Sequence, residues 1–335
     1  MKKIIRVPTI DAQICNRDQL VIDLGYHMAT EPNTLVRIGM LGEGPCGHSI
    51  GLYTLLDQLC SRYNFPKNLV EIFTANLLEH HNEYQVIRKH QWYELEATRE
   101  HASLVTNNQK DFSNDFRHFG NFISHGNRYR LELSSHLVNN HKNKLVNTYH
   151  CNRTETYHRP HLGIEDLIFS GAKKATIDSA IDLLYQSPIT VEKIDSYPIL
   201  CPTTLNITKV YPNFFIEIAC NTYYTGHLFY VDEKIWRPML MKTPFIIQGP
   251  QNFIKNLHKL GFKTFSNWWS EEYSSEPVDQ QVSQICELVD LLSTYSVYDL
   301  ETMYNDMKSV LDHNYNLLFT ISDLDFQRVF NDREV

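Results

Sequence analysis

The fold is decided by residues 230–273, YVDEKIWRPMLMKTPFIIQGPQNFIKNLHKLGFKTFSNWWSEEY. Glu233-Lys234 opens a short amphipathic helical segment closed by Pro238, and the apolar run at 244–247 reads as a buried strand ending at Gly249-Pro250. From 252 to 260, Phe253, Leu257 and Leu260 recur at helical spacing, and Gly261 stands where a helix stops. Helix, buried strand, glycine turn, helix is the order of an α/β domain. In open parallel sheets ligands bind beyond the carboxyl ends of the strands, so the loops around Glu233 and Gly249 are the first place to expect a site.

Toward the N-terminus, residues 35–41 (LVRIGML) form a second apolar run, followed by the loop GEGPCGHS at 42–49 and a helical repeat of Leu52, Leu55, Leu56 and Leu59. That order puts Glu43 and His48 at the carboxyl end of a strand. Residues 68–74 (NLVEIFT) read as another strand, ending at Asn76, and 85–114 as polar and helix-like. The loop GEGPCG departs from G-x-G-x-x-G and lacks the Gly-Lys-Ser/Thr ending of a phosphate loop. It is either a tight turn before a helix or a platform that projects Glu43 as a general base, with His48 in reserve.

Further along, Phe116, Phe119, Phe122 and Ile123 suit a short strand or turn, Asn127 suits a cap, and Tyr129, Leu133 and Leu137 mark the inner face of a helix. Arg128 and Arg130 stand in its first turn, where guanidinium groups beside free backbone N–H groups make a phosphate clamp, unless both are solvated. Residues 163–184 read as two helical pieces, and 187–211, rich in Pro and Thr, as a crossing between domains. A strand follows at 213–219. Residues 278–319 form a long helical region with Val282, Ile285, Leu288, Val289 and Leu292 on one face.

A chain of 335 residues suits two domains. We expect an α/β domain over 1–115, a second over 116–275, and C-terminal helices over 276–335 packing across the pair. A composition 42% hydrophobic and 21% charged is that of a folded chain, and a net charge of -8 speaks against general binding to nucleic acid or anionic membranes, which need a positive field. Seven scattered cysteines with no CxxC pair favour reduced thiols. No run reaches the ~20 apolar residues of a membrane helix, and the expected location is cytoplasmic. The stretch HCNRTETYHRPHLG at 150–163 carries His150, Cys151, His158 and His161, but its spacing matches no zinc pattern and Pro160 interrupts any helix aligning the last two, so no metal is expected.

The segment IEIACNTYYTGHLFYVDEKIWRPMLMKTPFIIQG resembles the donor-binding segment of the alpha-1,3-fucosyltransferases and related inverting glycosyltransferases of the GT-B class. That family's pattern is a strand, Phe-Glu-Asn-Ser, then Thr-Glu-Lys, a hydrophobic helix and a proline-led strand ending in glycine. Glu233-Lys234 matches the Glu-Lys, residues 244–249 match the strand, and Asn221 matches the motif asparagine. Upstream, FISHGNRYRLELSSHL resembles the family's Ser-Asn segment, which makes Arg130 the likelier clamp of the two arginines. Asp232 stands where the family has threonine, and Cys220 where it has glutamate. The chain also resembles glycosyltransferase-like proteins of large phages and viruses, in which a stretch like Gly-Phe-Lys-Thr-Phe at 261–265 follows the strand.

The resemblance implies two Rossmann-like domains facing a cleft and transfer of a sugar from a nucleotide-sugar donor to a glycan or other hydroxyl acceptor, with inversion and without a metal or other cofactor. Asn127, Arg130, Asn221, Glu233, Lys234 and Gly249 are the expected donor-binding residues, and Glu43 or His48 the expected base. Two alternatives stay open: a non-catalytic carbohydrate-binding or virion-associated protein on the same fold, and another nucleotide-sugar enzyme such as an epimerase. Trp236, Trp268 and Trp269 suit either sugar stacking or ordinary packing.

Overall fold

Short β-branched and aliphatic runs become parallel strands in both halves of the chain and set its architecture. The structure is a computed structural model that describes residues 4–7, 9–10, 13–14, 16–40, 44–89, 92–102, 105, 108–113, 115–123, 126–149, 160–189 and 205–331. The chain is α/β and divides into two units, each containing a four-stranded parallel sheet. Unit 1 takes residues 1–92, 222–230 and 322–335, and unit 2 takes 93–221 and 231–321.

In unit 1, strands β1 (Ile4–Arg6), β4 (Val36–Met40), β5 (Val70–Thr74) and β6 (Gln85–Arg88) lie side by side in chain order. A small antiparallel pair, β2 (Thr9–Ile10) and β3 (Gln13–Ile14), precedes helix α1 (Arg17–Thr30), and α2 (Leu52–Tyr63) joins β4 to β5. Right-handed crossovers that step in one direction fall on one face of a sheet. Helices α1 and α2 accordingly pack together, and Leu24, Met28, Leu52, Leu56, Ile38 and Ile72 form one core. Segment 222–230 and the C-terminal helix Asp323–Asn331 belong to the same unit, where Phe229 and Phe330 meet with ring centroids 5.1 Å apart.

Unit 2 follows a different path. After α3 (Trp92–Ala102), whose first residue is the last of unit 1, the order is β7 (Arg117–Ile123), α4 (Arg128–His141), β8 (Leu145–Tyr149), α5 (Pro160–Phe169), α6 (Lys174–Gln186), α7 (Leu205–Thr208), β9 (Phe214–Cys220), α8 (Glu233–Leu240) and β10 (Phe245–Gln248). Helices α9 (Phe253–Lys259), α10 (Val278–Leu292) and α11 (Val297–Thr320) complete it. The strands stand in the order β10-β9-β7-β8, all parallel. The chain therefore steps one way from β7 to β8, returns past β7, and steps the other way from β9 to β10. Every residue of β9 is buried, as a central strand covered on both faces requires. Gly120 of β7 lets the Phe214 ring lie where its Cβ would be, 2.5 Å away.

Several expectations are corrected. The break between units falls at 92/93 rather than after 115. Residues 85–114, read as helix-like, contain β6 before α3, because QVIR pairs along β5. Pro238 does not close α8: it lies inside the helix, forgoes one backbone bond, and the helix runs on to Leu240. The segment 187–211 is not a crossing between domains, since its described ends, 187–189 and 205–211, both belong to unit 2; the chain changes unit at 92/93, 221/222, 230/231 and 321/322. The long helical region at 278–319 is two helices, α10 and α11, separated by a capping box in which Ser296 and Asp299 bond each other's backbone N–H.

Candidate functional site

The unit 2 sheet reverses direction between β7 and β9, and the carboxyl ends of the strands at such a reversal are the position where open parallel sheets take ligands. The loop after β7 leads into α4, where Asn127 is the N-cap and its Oδ1 accepts from the Arg130 N–H at 3.1 Å. Arg130 is 1% exposed, and its Nη2 donates to the Cys220 carbonyl at the end of β9, 3.0 Å away. One guanidinium thus ties the first turn of α4, the helix that follows β7, to the end of β9. Asn121 of β7 reinforces the junction by donating to the Ile218 carbonyl at 2.6 Å and accepting from Ser134 Oγ at 3.1 Å. Arg128 is held elsewhere, by an ion pair of 2.6 Å with Asp279.

Asn221 follows Cys220, and its N–H donates to the Gln248 carbonyl at the end of β10, 2.8 Å away. Gly249 comes next, where an added Cβ would lie 3.1 Å from Asn221 Nδ2. Several buried polar atoms here lack a hydrogen-bond partner among the described residues: Asn127 Nδ2, Asn221 Oδ1, and both Nε2 and Oε1 of Gln248. Buried polar groups are nearly always satisfied, so four such atoms on the loops and ends of adjacent strands mark a polar surface built for something else to complete.

Helix α8 brings further charge. Asp232 is its N-cap, accepting from the Lys234 N–H at 3.1 Å, so the aspartate keeps the capping task that a threonine performs equally well. Lys234 Nζ donates to Asp232 Oδ2 at 2.8 Å and to Glu233 Oε1 at 2.7 Å. The Glu233-Lys234 pair is not the surface ion pair its position at a helix start allows: all eight residues of α8 are buried. Burial pushes the Cys220 thiol up to about 11, against the opposing pull of Arg130, a hydrogen bond from Asn121, and Lys234. Both cations therefore act on the end of β9, while two carboxylates partly neutralise one of them.

Of the expected donor residues, Asn127, Arg130, Asn221 and Gly249 come together at the strand ends and Glu233 and Lys234 adjoin them through α8. Gln248 was not anticipated, although a polar residue closing the apolar run FIIQ was its visible signal. Trp236 and Trp269 are packing residues, against Phe262 at 5.9 Å and Phe265 at 5.3 Å.

Glu43 of unit 1 lies outside the described residues, as do His150, Cys151 and His158 and the side chain of His161. His48 is exposed, its ring 4.4 Å from Tyr53 and 5.5 Å from His81. Its Nε2 lies 3.1 Å from the His80 carbonyl, which only accepts, so Nε2 is the donor of that bond. Beneath it, the buried Glu79 accepts from the Gly47 N–H at 2.8 Å, Tyr53 OH at 2.9 Å and Asn76 Nδ2 at 3.0 Å. Gly44 lies at φ 62 against the backbone of Ala75 and Asn76, which explains a glycine there without any phosphate.

No helix among the described residues is long and apolar enough to cross a membrane. Compared with protein-family models, curated proteins and solved structures, the chain matches none.

Proposed function

We propose that the chain is a glycosyltransferase of the GT-B type, with a nucleotide-sugar donor held on unit 2. The observation that carries this reading is the buried Arg130 tying the first turn of α4 to the end of β9, with unmatched polar atoms on Asn127, Asn221 and Gln248. A nucleotide diphosphate needs fixed cationic and N–H donors as it leaves, and a buried guanidinium beside a helix N-terminus supplies both. Lys234, tied to Asp232 and Glu233, contributes less charge than Arg130 and orients Glu233 toward the ribose hydroxyls. Cationic side chains thus hold the diphosphate without a metal ion.

In the transfer step the acceptor oxygen forms a bond to the anomeric carbon from the side opposite the leaving group. The bond from that carbon to the donor phosphate oxygen breaks, and the diphosphate leaves with its electron pair. A general base, for which Glu43 and then His48 are the candidates from the sequence, takes the hydroxyl proton. The carbon inverts.

The test is a thermal-shift screen of UDP, GDP, CMP and their sugars on the wild type, Arg130→Ala and Lys234→Ala. At 100 times its dissociation constant, a ligand stabilises the fold by about 2.7 kcal/mol. One nucleotide should stabilise the wild type, leave Arg130→Ala unmoved, and shift Lys234→Ala by an intermediate amount. A folded wild type that responds to no nucleotide sinks the reading in favour of a carbohydrate-binding protein. Turnover of a nucleotide sugar with no acceptor consumed points instead to an epimerase.

A further inference from the structure

Helices α4 and α10 meet at three side chains that no step above uses. His136 Nε2 lies 2.8 Å and His141 Nε2 2.6 Å from the same oxygen, Asp290 Oδ1. The three donor atoms all fall within 4.8 Å of one another. The histidines are five residues apart, which on a regular helix would separate them by 140°. They converge because His141 ends α4 with a non-helical backbone at φ -133 and ψ 21. Asp290 reaches them from α10 with its side chain 52% exposed, and the cluster opens on a cavity of about 620 Å³ that Glu132, Asn140 and Cys286 also line.

The geometry points to a binding site for a first-row divalent transition metal, best suited to Zn²⁺, with His136 Nε2, His141 Nε2 and an Asp290 carboxylate oxygen as ligands and a fourth position open to the cavity. Two imidazoles and one carboxylate are a regular donor set for zinc with an open position. Around a tetrahedral ion with bonds of about 2.0–2.1 Å, neighbouring donors stand about 3.3 Å apart. The present nitrogen–oxygen spacings are 2.8 and 2.6 Å and the three donors lie within 4.8 Å of one another, so binding requires Asp290 to withdraw by about 0.5–0.7 Å and the two imidazole nitrogens to settle at the same tetrahedral spacing.

Asn140 supplies the second requirement. Its side-chain Nδ2 lies 3.1 Å from His136 Nδ1, and turning the amide over exchanges Nδ2 for Oδ1 at that place. Turned so that its oxygen faces the ring, the amide accepts a hydrogen bond from Nδ1–H, leaving the Nε2 lone pair directed at Asp290. A lone pair and a carboxylate oxygen facing each other at that distance repel unless a cation lies between them. A hydrogen-bonded pair in the opposite tautomer serves without metal, and the two arrangements separate experimentally.

The chain, stripped with a chelator, is titrated calorimetrically with ZnCl₂ in a buffer containing a weak competing ligand that masks the other histidines and cysteines. One site per chain is expected, weakened at least tenfold in His136→Ala and in Asp290→Asn, the latter conserving the shape of the carboxylate and hence the fold. X-ray absorption of the zinc-loaded wild type, which depends on no variant, should show two imidazoles and oxygen donors without sulfur. Absence of a stoichiometric site, equal affinity in both variants, or a sulfur shell from cysteine overturns the assignment.

Discussion

Arg237 is the residue whose fate sequence alone concealed. It sits in α8 beside Glu233-Lys234, in a run that reads as charged and exposed, yet it is 1% exposed and its Nη2 lies 2.6 Å from Glu217 Oε1 of β9. Tyr211 closes the network, accepting from Arg237 Nε and donating to Glu217 Oε2 at 2.5 Å. Nothing in the spacing of residues 217 and 237 announces that pairing, because it depends on β9 and α8 lying against each other. Removing one partner from a buried pair leaves an uncompensated charge. Glu217→Ala should therefore lower the unfolding free energy by about 3–5 kcal/mol in urea denaturation. The double change Glu217→Met, Arg237→Met should recover much of that loss, since well-packed apolar side chains replace such a pair at little cost. A single variant as stable as the wild type would show that the charge is not confined.

At the scale of the element, legibility followed local chemistry. The strands at 36–40, 70–74 and 245–248 were readable because short, largely apolar runs rich in β-branched residues and bounded by turn residues have few alternatives. Strand β8, LVNTY, was missed: it carries two polar residues and takes its identity from pairing along β7. The break between α10 and α11 had a local signal, Ser296-Val-Tyr-Asp299 ahead of an apolar repeat, that a reading focused on one hydrophobic face passed over. Ser296 accepts from the Asp299 N–H at 3.2 Å, and Asp299 in turn accepts from the Ser296 N–H at 2.9 Å. Ser296→Ala should cost about 1 kcal/mol, and Ser296→Asp, which restores a side-chain acceptor, should cost less. Equal losses in both would mean that packing of Leu300 and Tyr304, rather than the cap, sets where α11 begins.

At the scale of the whole molecule, the two sheets are built from similar strands but wound differently, and that difference separates their capacity for ligands. The unit 1 strands run in chain order among the described residues, whereas the unit 2 sheet reverses between β7 and β9. Strand order is a long-range property, so Arg130, Asn221 and Lys234 were visible as candidates in the sequence, while the reversal near which Arg130 and Asn221 stand was not. Winding now makes a prediction that residue identity alone does not. If the donor binds at the reversal, hydrogen exchange with saturating nucleotide should slow at the backbone of residues 126–130, 217–221, 232–235 and 248–249, all in unit 2. The loop 44–51 of unit 1 should be unaffected by the nucleotide alone, because the acceptor and not the donor is assigned to the side of Glu43 and His48. Arg130→Ala should abolish the protection at all four segments together, since one guanidinium links α4 to the end of β9. Protection centred on 44–51 would move the nucleotide to unit 1, to a sheet with no reversal, and the assignment of donor and acceptor sides would then have to be exchanged.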